Sequence, residues 1–374
     1  MINLFCIRPK GFNVGNDAIY LGMQHFVYKA FGEVINLITL PATSKYESQG
    51  KAGLTAKTIY EINQYGHGVI IGGGNLYENG ELDVNLDALS ALEVPLMIFS
   101  VSRGRVYNRR LELVHRTDTM PDRTIQALHQ RADFALYRDH ATASHANQIG
   151  CHGAVVGGCP TIFLDKMMHR LPDVPGDLDN TALISVRTPE LMSIPLEKQA
   201  NVRNDILRIV ELLKSRGYGD VRLLCHDYRD LSFAASFTNI DYVYTGDVMT
   251  YLAMLRRCAL NVTYRLHSFL PCVSFGRPTI KISYDERALS LVKTLGLDRW
   301  NINMVEHGNP VEAVENRLDR LSDLASLREQ VQPEWNGFYR RFDTTFGEFA
   351  RRVHQYHDSV EGTTEDTDEL RLIA

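Results

Sequence analysis

Two side chains able to handle an anion and a proton stand two residues apart in Arg265-Leu266-His267-Ser268. The segment follows an apolar run over 258–263, which reads as a strand. A short helical stretch, Gly276-Arg277-Pro278 and a second apolar run from 279 come after it. Open α/β sheets bind ligands at the carboxyl ends of their strands. A guanidinium there offers a rigid fork of donors matched to carboxylate or phosphate, and a nearby imidazole offers a proton near neutral pH. Arg187, after the run 181–186, and His226, after 221–225, hold equivalent positions. Each alone is more often structural than functional. Four on one rim suit a doubly charged anion, such as a phosphate ester that also carries a carboxylate.

The N-terminal half offers groups of a different kind. Asn13-Val14-Gly15-Asn16-Asp17 follows the first apolar run. Gly15 permits a tight turn, Asn16 or Asp17 can cap a helix, and the free N–H groups of its first turn can face an anion or a sugar hydroxyl. Gly72-Gly73-Gly74-Asn75 ends another run, and three glycines in succession cost entropy that close approach of a ligand would justify. Neither segment has the spacing of a dinucleotide fingerprint or a phosphate loop. Arg103-Gly104-Arg105 sits at a further strand end, and Arg138-Asp139 reads as an internal ion pair. Cys151-His152 and Cys159 lack a second matching pair, so no metal site is expected.

These residues need a frame, and its pattern is regular. Buried strands over 4–7, 68–71, 96–101, 134–137 and 154–156 alternate with amphipathic helices such as 17–31 and 122–132. The Pro-, Gly- and Asp-rich segment 170–177 reads as a linker, after which the alternation restarts with strands over 181–186, 221–225, 242–244, 260–263 and 279–283. The expected fold class is α/β, with two doubly wound Rossmann-like lobes and a cleft between them. The lobes are expected over 1–168 and 178–325. A helix over 331–358, with aromatics at Phe338, Phe342, Phe346 and Phe349, should span them. The acidic residues in 359–374 predict a disordered tail.

Composition narrows the function classes. The 374 residues exceed one ordinary core, and 44% hydrophobic with 23% charged is normal for a globular protein. A net charge of −5 speaks against a general nucleic-acid binder. No run reaches membrane-spanning length. Six scattered cysteines, with no Cys-x-x-Cys, suit a reducing compartment, so the cytoplasm is expected, with attachment to the inner membrane face left open.

In this order and spacing, the motifs resemble the polysaccharide pyruvyl transferase family. The pieces are Asn13-x-Gly15 with Asp17-Ala18-Ile19, Gly72-Gly73-Gly74, Tyr137-Arg138-Asp139, Ser185-Val186-Arg187, His226-Asp227 with Asp230, Arg265-Leu266-His267, and Gly276-x-Pro278 through Ile282-Ser283-Tyr284-Asp285. The resemblance implies a two-lobed fold of the GT-B type and transfer of pyruvate from phosphoenolpyruvate, a co-substrate rather than a cofactor, onto two hydroxyls of a sugar. It implies catalytic roles for His267 and Arg265, and donor binding by Arg187, Arg265, His267, Ser268 and His226. The first lobe would hold the acceptor, a free or lipid-linked glycan, through Asn13, Gly15, Asp17, Gly73, Gly74 and Asn75. One position departs from the family pattern: Asn16 stands where an Asp is usual, with Asp17 next to it. The rival readings are a glycosyltransferase with a nucleotide-sugar donor and a non-catalytic binding protein on the same fold.

Overall fold

The computed structural model describes residues 1–32, 34–46 and 51–371. Short runs of buried apolar residues become strands of two parallel six-stranded sheets. In the first, β1 (Ile2–Arg8), β2 (Ile35–Pro41), β3 (Gly68–Gly74), β4 (Leu96–Val101), β7 (Phe134–Tyr137) and β8 (Val155–Val156) lie in the order β2-β1-β3-β4-β7-β8. A small antiparallel hairpin, β5 (Val106–Tyr107) and β6 (Leu113–Val114), projects after β4. In the second sheet, β9 (Thr181–Val186), β10 (Asp220–Cys225), β11 (Tyr242–Tyr244), β12 (Leu260–Thr263), β13 (Thr279–Ser283) and β14 (Asn301–Asn303) lie in the order β11-β10-β9-β12-β13-β14. Strands β3, β4, β9, β12 and β13 are buried along their whole length, as a parallel sheet covered on both faces requires.

The register explains the rim. β9 is central, with Leu224 of β10 beside Ser185 and Val262 of β12 beside Ile184. The residues that follow β9, β10, β12 and β13 therefore emerge side by side. These are Arg187, His226, Arg265 and Tyr284.

A helix over Leu327–Arg371 spans the two lobes. Phe342 and Phe346 each place their rings 4.9 Å from Phe99 of β4, and Phe342 lies 5.1 Å from Phe26. Nearer its start, Trp335 donates Nε1–H to the Leu295 carbonyl of the second lobe at 3.1 Å. The helix starts before and ends after the expected 331–358. It continues to Arg371 through the stretch expected as a disordered tail; residues 372–374 lie outside the described residues. Propagating a helix that is already nucleated and packed adds one hydrogen bond per residue, and Glu and Leu are good helix formers. The edge strand β2 and the helix Ala56–Tyr65 were not expected from the sequence. β2 is only half-buried over most of its length, so its apolar pattern is weak.

Phe342 is fully buried against rings of the first lobe. Phe342→Ala is expected to cost about 3–5 kcal/mol, the usual size of an unfilled aromatic cavity. Urea unfolding followed by tryptophan fluorescence should show a clearly lowered midpoint; an unchanged midpoint would mean that this helix does not hold the lobes.

Candidate functional site

The carboxyl ends of both sheets face one cleft of about 490 Å³. It narrows into an inner recess of about 90 Å³. Asn13, Asn16, Asn75, Arg265, Tyr284 and Arg287 line both spaces, so the recess is the floor of the cleft. Arg138, His226 and His267 line the recess alone, while Arg187 and Arg229 line the outer cleft.

Arg265 immediately precedes the short helix Leu266–Ser274 and is buried. Its Nε–H donates to the Val186 carbonyl at 3.0 Å, and its Nη2 pairs with Asp230. Asp230 also accepts from Thr188 N at 3.0 Å and Thr188 Oγ1 at 3.1 Å. Arg187 stands 3.5 Å from both Asp230 and Asp227. Its buried Nε and Nη1 find no hydrogen-bond partner among the described residues. Burial, and then the neighbouring Arg265 charge, pull the Arg187 guanidinium down to about 10, still cationic at neutral pH. Burial would raise the Asp227 carboxyl, but hydrogen bonds from Arg229 and the Arg265 charge outweigh it and hold it at about 2. Two guanidinium groups thus share buried counter-ions and leave donors for a further anion.

His267 lies in a kinked first turn (φ −87°, ψ 20°). Its Nε2 is 3.7 Å from the Cys159 thiol. Burial, then the charges of Arg138, Arg287, Arg265 and Lys281, hold its imidazole well below the ordinary value. The free protein therefore carries a neutral His267 at neutral pH. The cationic His that the sequence suggests requires a bound anion to offset these charges. His226 is lowered likewise by burial and by Arg265, and shares a 2.7 Å hydrogen bond with the Tyr251 hydroxyl, which donates on to the His267 carbonyl at 3.3 Å.

The first lobe closes over these groups. A Cβ on Gly15 would overlap His226 Nε2 and sit 2.9 Å from His267 Cβ. Gly15 therefore packs on the two histidines and does not line the cleft. Val14 N donates to the His226 carbonyl at 3.2 Å, and Asn13 caps the helix Val14–Phe31 by accepting from Gly15 N at 3.0 Å. Across the recess, Arg287 pairs with Asp285 at 2.5 Å and reaches Glu78 of the first lobe at 3.4 Å. Gly104 N donates to Glu78 at 2.8 Å, and a Cβ on Gly104 would meet Arg287 at 2.5 Å. Burial pushes the Glu78 carboxyl up to about 7 against the pull of Arg287. Arg105 and Glu286 form a second bridge between lobes, with Nε to Oε1 at 2.8 Å.

Not every residue named from the sequence reaches the cleft. Asn13 and Asn75 line it, as does Asn16, the departure from the family pattern. Asp17 instead pairs with Arg8 at 2.7 Å. Gly73, at φ 61°, turns the chain tightly over Ile19, and with Gly74 it presents Asn75 rather than lining the cleft itself. Ser268 is buried beneath the loop, bonded to Ser185 at 2.6 Å and to Asn261 at 3.1 Å. Arg138 lies 3.9 Å from Asp139, a loose form of the expected ion pair, and also faces the recess, its Nη2 bonded to Ser102. Arg287 and Glu78 were not singled out from the sequence. The only signal was charge at strand and helix ends, which many surface residues share.

Residues 13–286 match the family described as polysaccharide pyruvyl transferase. The chain belongs to the polysaccharide pyruvyl transferase family. The amylovoran biosynthesis protein AmsJ of Erwinia amylovora is 24% identical over 198 residues, which cover 46% of this chain and 47% of AmsJ. The chain thus spans about half the length of the curated relative it matches. Among solved structures, S. aureus MnaA with UDP superimposes at a TM-score of 0.55 and 15% identity, covering 87% of this chain and 91% of MnaA. The UDP-GlcNAc 2-epimerase of Methanocaldococcus jannaschii, with UDP-GlcNAc and UDP, gives 0.53 and 12%, covering 84% and 92%. At these identities the likeness is one of fold, the two-lobed GT-B-like arrangement. Among the described residues, no helix is long and apolar enough to cross a membrane.

Because Gly15 has no room for a side chain, Gly15→Ala must displace the His226 ring or shift the lobes. Displacements of this size cost about 10²-fold in turnover where geometry matters. Transfer activity is expected to fall by that order with circular dichroism unchanged; full activity would show that the histidines tolerate the shift.

Proposed function

We propose that this protein transfers pyruvate from phosphoenolpyruvate onto two hydroxyls of a sugar in a glycan precursor, forming a ketal and releasing phosphate. The observation that carries this reading is the recess itself. Arg138, Arg265, Arg287 and His267 line one small space, and Arg187 stands above it, ion-paired to Asp227 and Asp230 but with its buried Nε and Nη1 making no hydrogen bond among the described residues. Phosphoenolpyruvate is compact and carries both a phosphate and a carboxylate, so it matches a small cavity ringed by cations.

The chemistry follows from the ligand. A proton adds to the methylene carbon while a sugar hydroxyl attacks the adjacent carbon. The bond from that carbon to the phosphate-bearing oxygen breaks, and phosphate leaves. A second hydroxyl of the same sugar then closes the ketal. Of the two hydroxyl protons released, one balances the methyl group and the other leaves with phosphate. Arg265 and Arg187 hold the phosphate or carboxylate through paired donors, with Arg138 and Arg287 on the opposite side. His267 delivers the proton once the bound anion has offset the surrounding cations. The amides of Asn13, Asn16 and Asn75, which face the same space from the first lobe, hold the sugar hydroxyls. All six cysteines are buried free thiols, in keeping with a cytoplasmic enzyme.

Phosphate release from phosphoenolpyruvate across a panel of free and lipid-linked sugars tests the reading. Release should depend on the acceptor, and its absence with every sugar, alongside turnover of a nucleotide sugar, would overturn it. Within that assay, His267→Ala should lower kcat by about 10²–10⁴, with a smaller change in the KM for phosphoenolpyruvate. Arg265→Lys should raise that KM as well, because a point charge does not reproduce the fork. Near-normal turnover of His267→Ala would assign the proton to another group.

A further inference from the structure

Beside the cleft, two aromatic rings stand largely in solvent: Phe12 lines it, and Tyr228 packs against Phe12. Phe12, from the loop after β1, is 62% exposed. Tyr228, from the loop after β10, is 56% exposed. They come from opposite lobes, yet their ring centroids are 5.5 Å apart with planes tilted by 42°. Tyr244 braces Tyr228 from behind at 6.4 Å. The backbones beneath are tied together, with Tyr228 N donating to the Phe12 carbonyl at 3.4 Å and Asn13 bridged to Asp227. The pair is therefore held in place, not left loose on a flexible loop.

An exposed, fixed aromatic pair is apolar surface that folding leaves unburied, and such surface marks a contact site. Its setting selects the partner. Phe12 lines the same cleft as Asn13, Asn16, Asn75 and Asn79. A sugar ring has one face of C–H groups and an edge of hydroxyls. Ring stacking suits the first, and amides that both donate and accept suit the second. The recess, with its arginines, lies at the inner end of the cleft, so the reacting sugar must sit between it and the mouth.

We propose that Phe12 and Tyr228 form a stacking subsite for a second sugar of the acceptor, the one next to the sugar that receives pyruvate. This rests on the glycan-acceptor reading above and extends it: the preferred acceptor is an oligosaccharide, and the two lobes must be closed for the subsite to exist.

Saturation-transfer NMR tests the subsite without turnover. The probes are lactose, cellobiose, maltose and uridine diphosphate, each with the full-length protein, Phe12→Ala, Tyr228→Ala and Phe12→Trp. At least one disaccharide should receive saturation at its ring C–H protons. Phe12→Ala and Tyr228→Ala should weaken that binding about tenfold, the scale of one aromatic contact, and Phe12→Trp should retain it. Equal thermal midpoints would show that the variants remain folded. No saturation of any disaccharide, or saturation that survives both alanine variants, would overturn the proposal. Saturation of uridine diphosphate alone would overturn it too, and would assign the rings to a nucleotide base. Disaccharide binding at Phe12 without any phosphate release from phosphoenolpyruvate would reject the pyruvyl-transfer reading and leave the stacking subsite standing.

Discussion

The Asp230 carboxylate is the constraint on which the site depends. It is fully buried, and a buried charge is tolerated only when its partners satisfy it. Asp230 follows β10, and those partners come from the two neighbouring strand ends, Thr188 after β9 and Arg265 after β12. One anion therefore fixes the spacing of three loops and holds Arg265 where its fork can serve the cleft. It also stands 3.5 Å from Arg187, so two like charges can share one rim. Removing it would leave a buried guanidinium uncompensated, a larger penalty than the pair's net contribution to stability.

The second lobe alone does not make the recess. Arg138 arrives from the first lobe, and Arg287 is held between Asp285 of its own lobe and Glu78 of the other. Gly15 and Gly104 are two places where the lobes approach too closely for a side chain. The long last helix supports that approach from the far side, with Phe342 packed on Phe26 and Phe99 of the first lobe and Trp335 bonded to Leu295 of the second. Closure concentrates cations and lowers the proton affinity of both histidines. An anion entering the recess would offset these charges, so the proposed donor binding and histidine protonation would be coupled.

Much of this was legible in the sequence, for a physical reason. In a parallel sheet the strand ends share one edge, so apolar runs ending in Arg187, His226 and Arg265 are enough to locate a rim. Two lobes and a spanning aromatic helix follow from the same periodicities. Arg287 and Glu78 were invisible because their roles come from packing between lobes, which local pattern does not encode. Arg138 read as half of an ion pair because its neighbour is acidic, whereas at 3.9 Å the pair leaves it free to face the recess. Ser268 misled because its motif neighbours line the cleft while the helix turns its own hydroxyl inward to Ser185. Gly15 was legible as a glycine that matters, but its partner, an imidazole of the other lobe, was not.

The proposed recess binds phosphoenolpyruvate and takes up a proton at His267 as it does so. Titration calorimetry of phosphoenolpyruvate at pH 8, repeated in buffers of different ionisation enthalpy, measures both at once. With a phosphate pKa near 6, the ligand arrives almost fully ionised, so any proton gained must come from buffer. Binding is expected with net proton uptake that His267→Ala removes, because an imidazole held well below its ordinary range in the free protein gains proton affinity when the anion enters. Binding without proton uptake would contradict the assignment of the acid, and no binding at all would contradict the site.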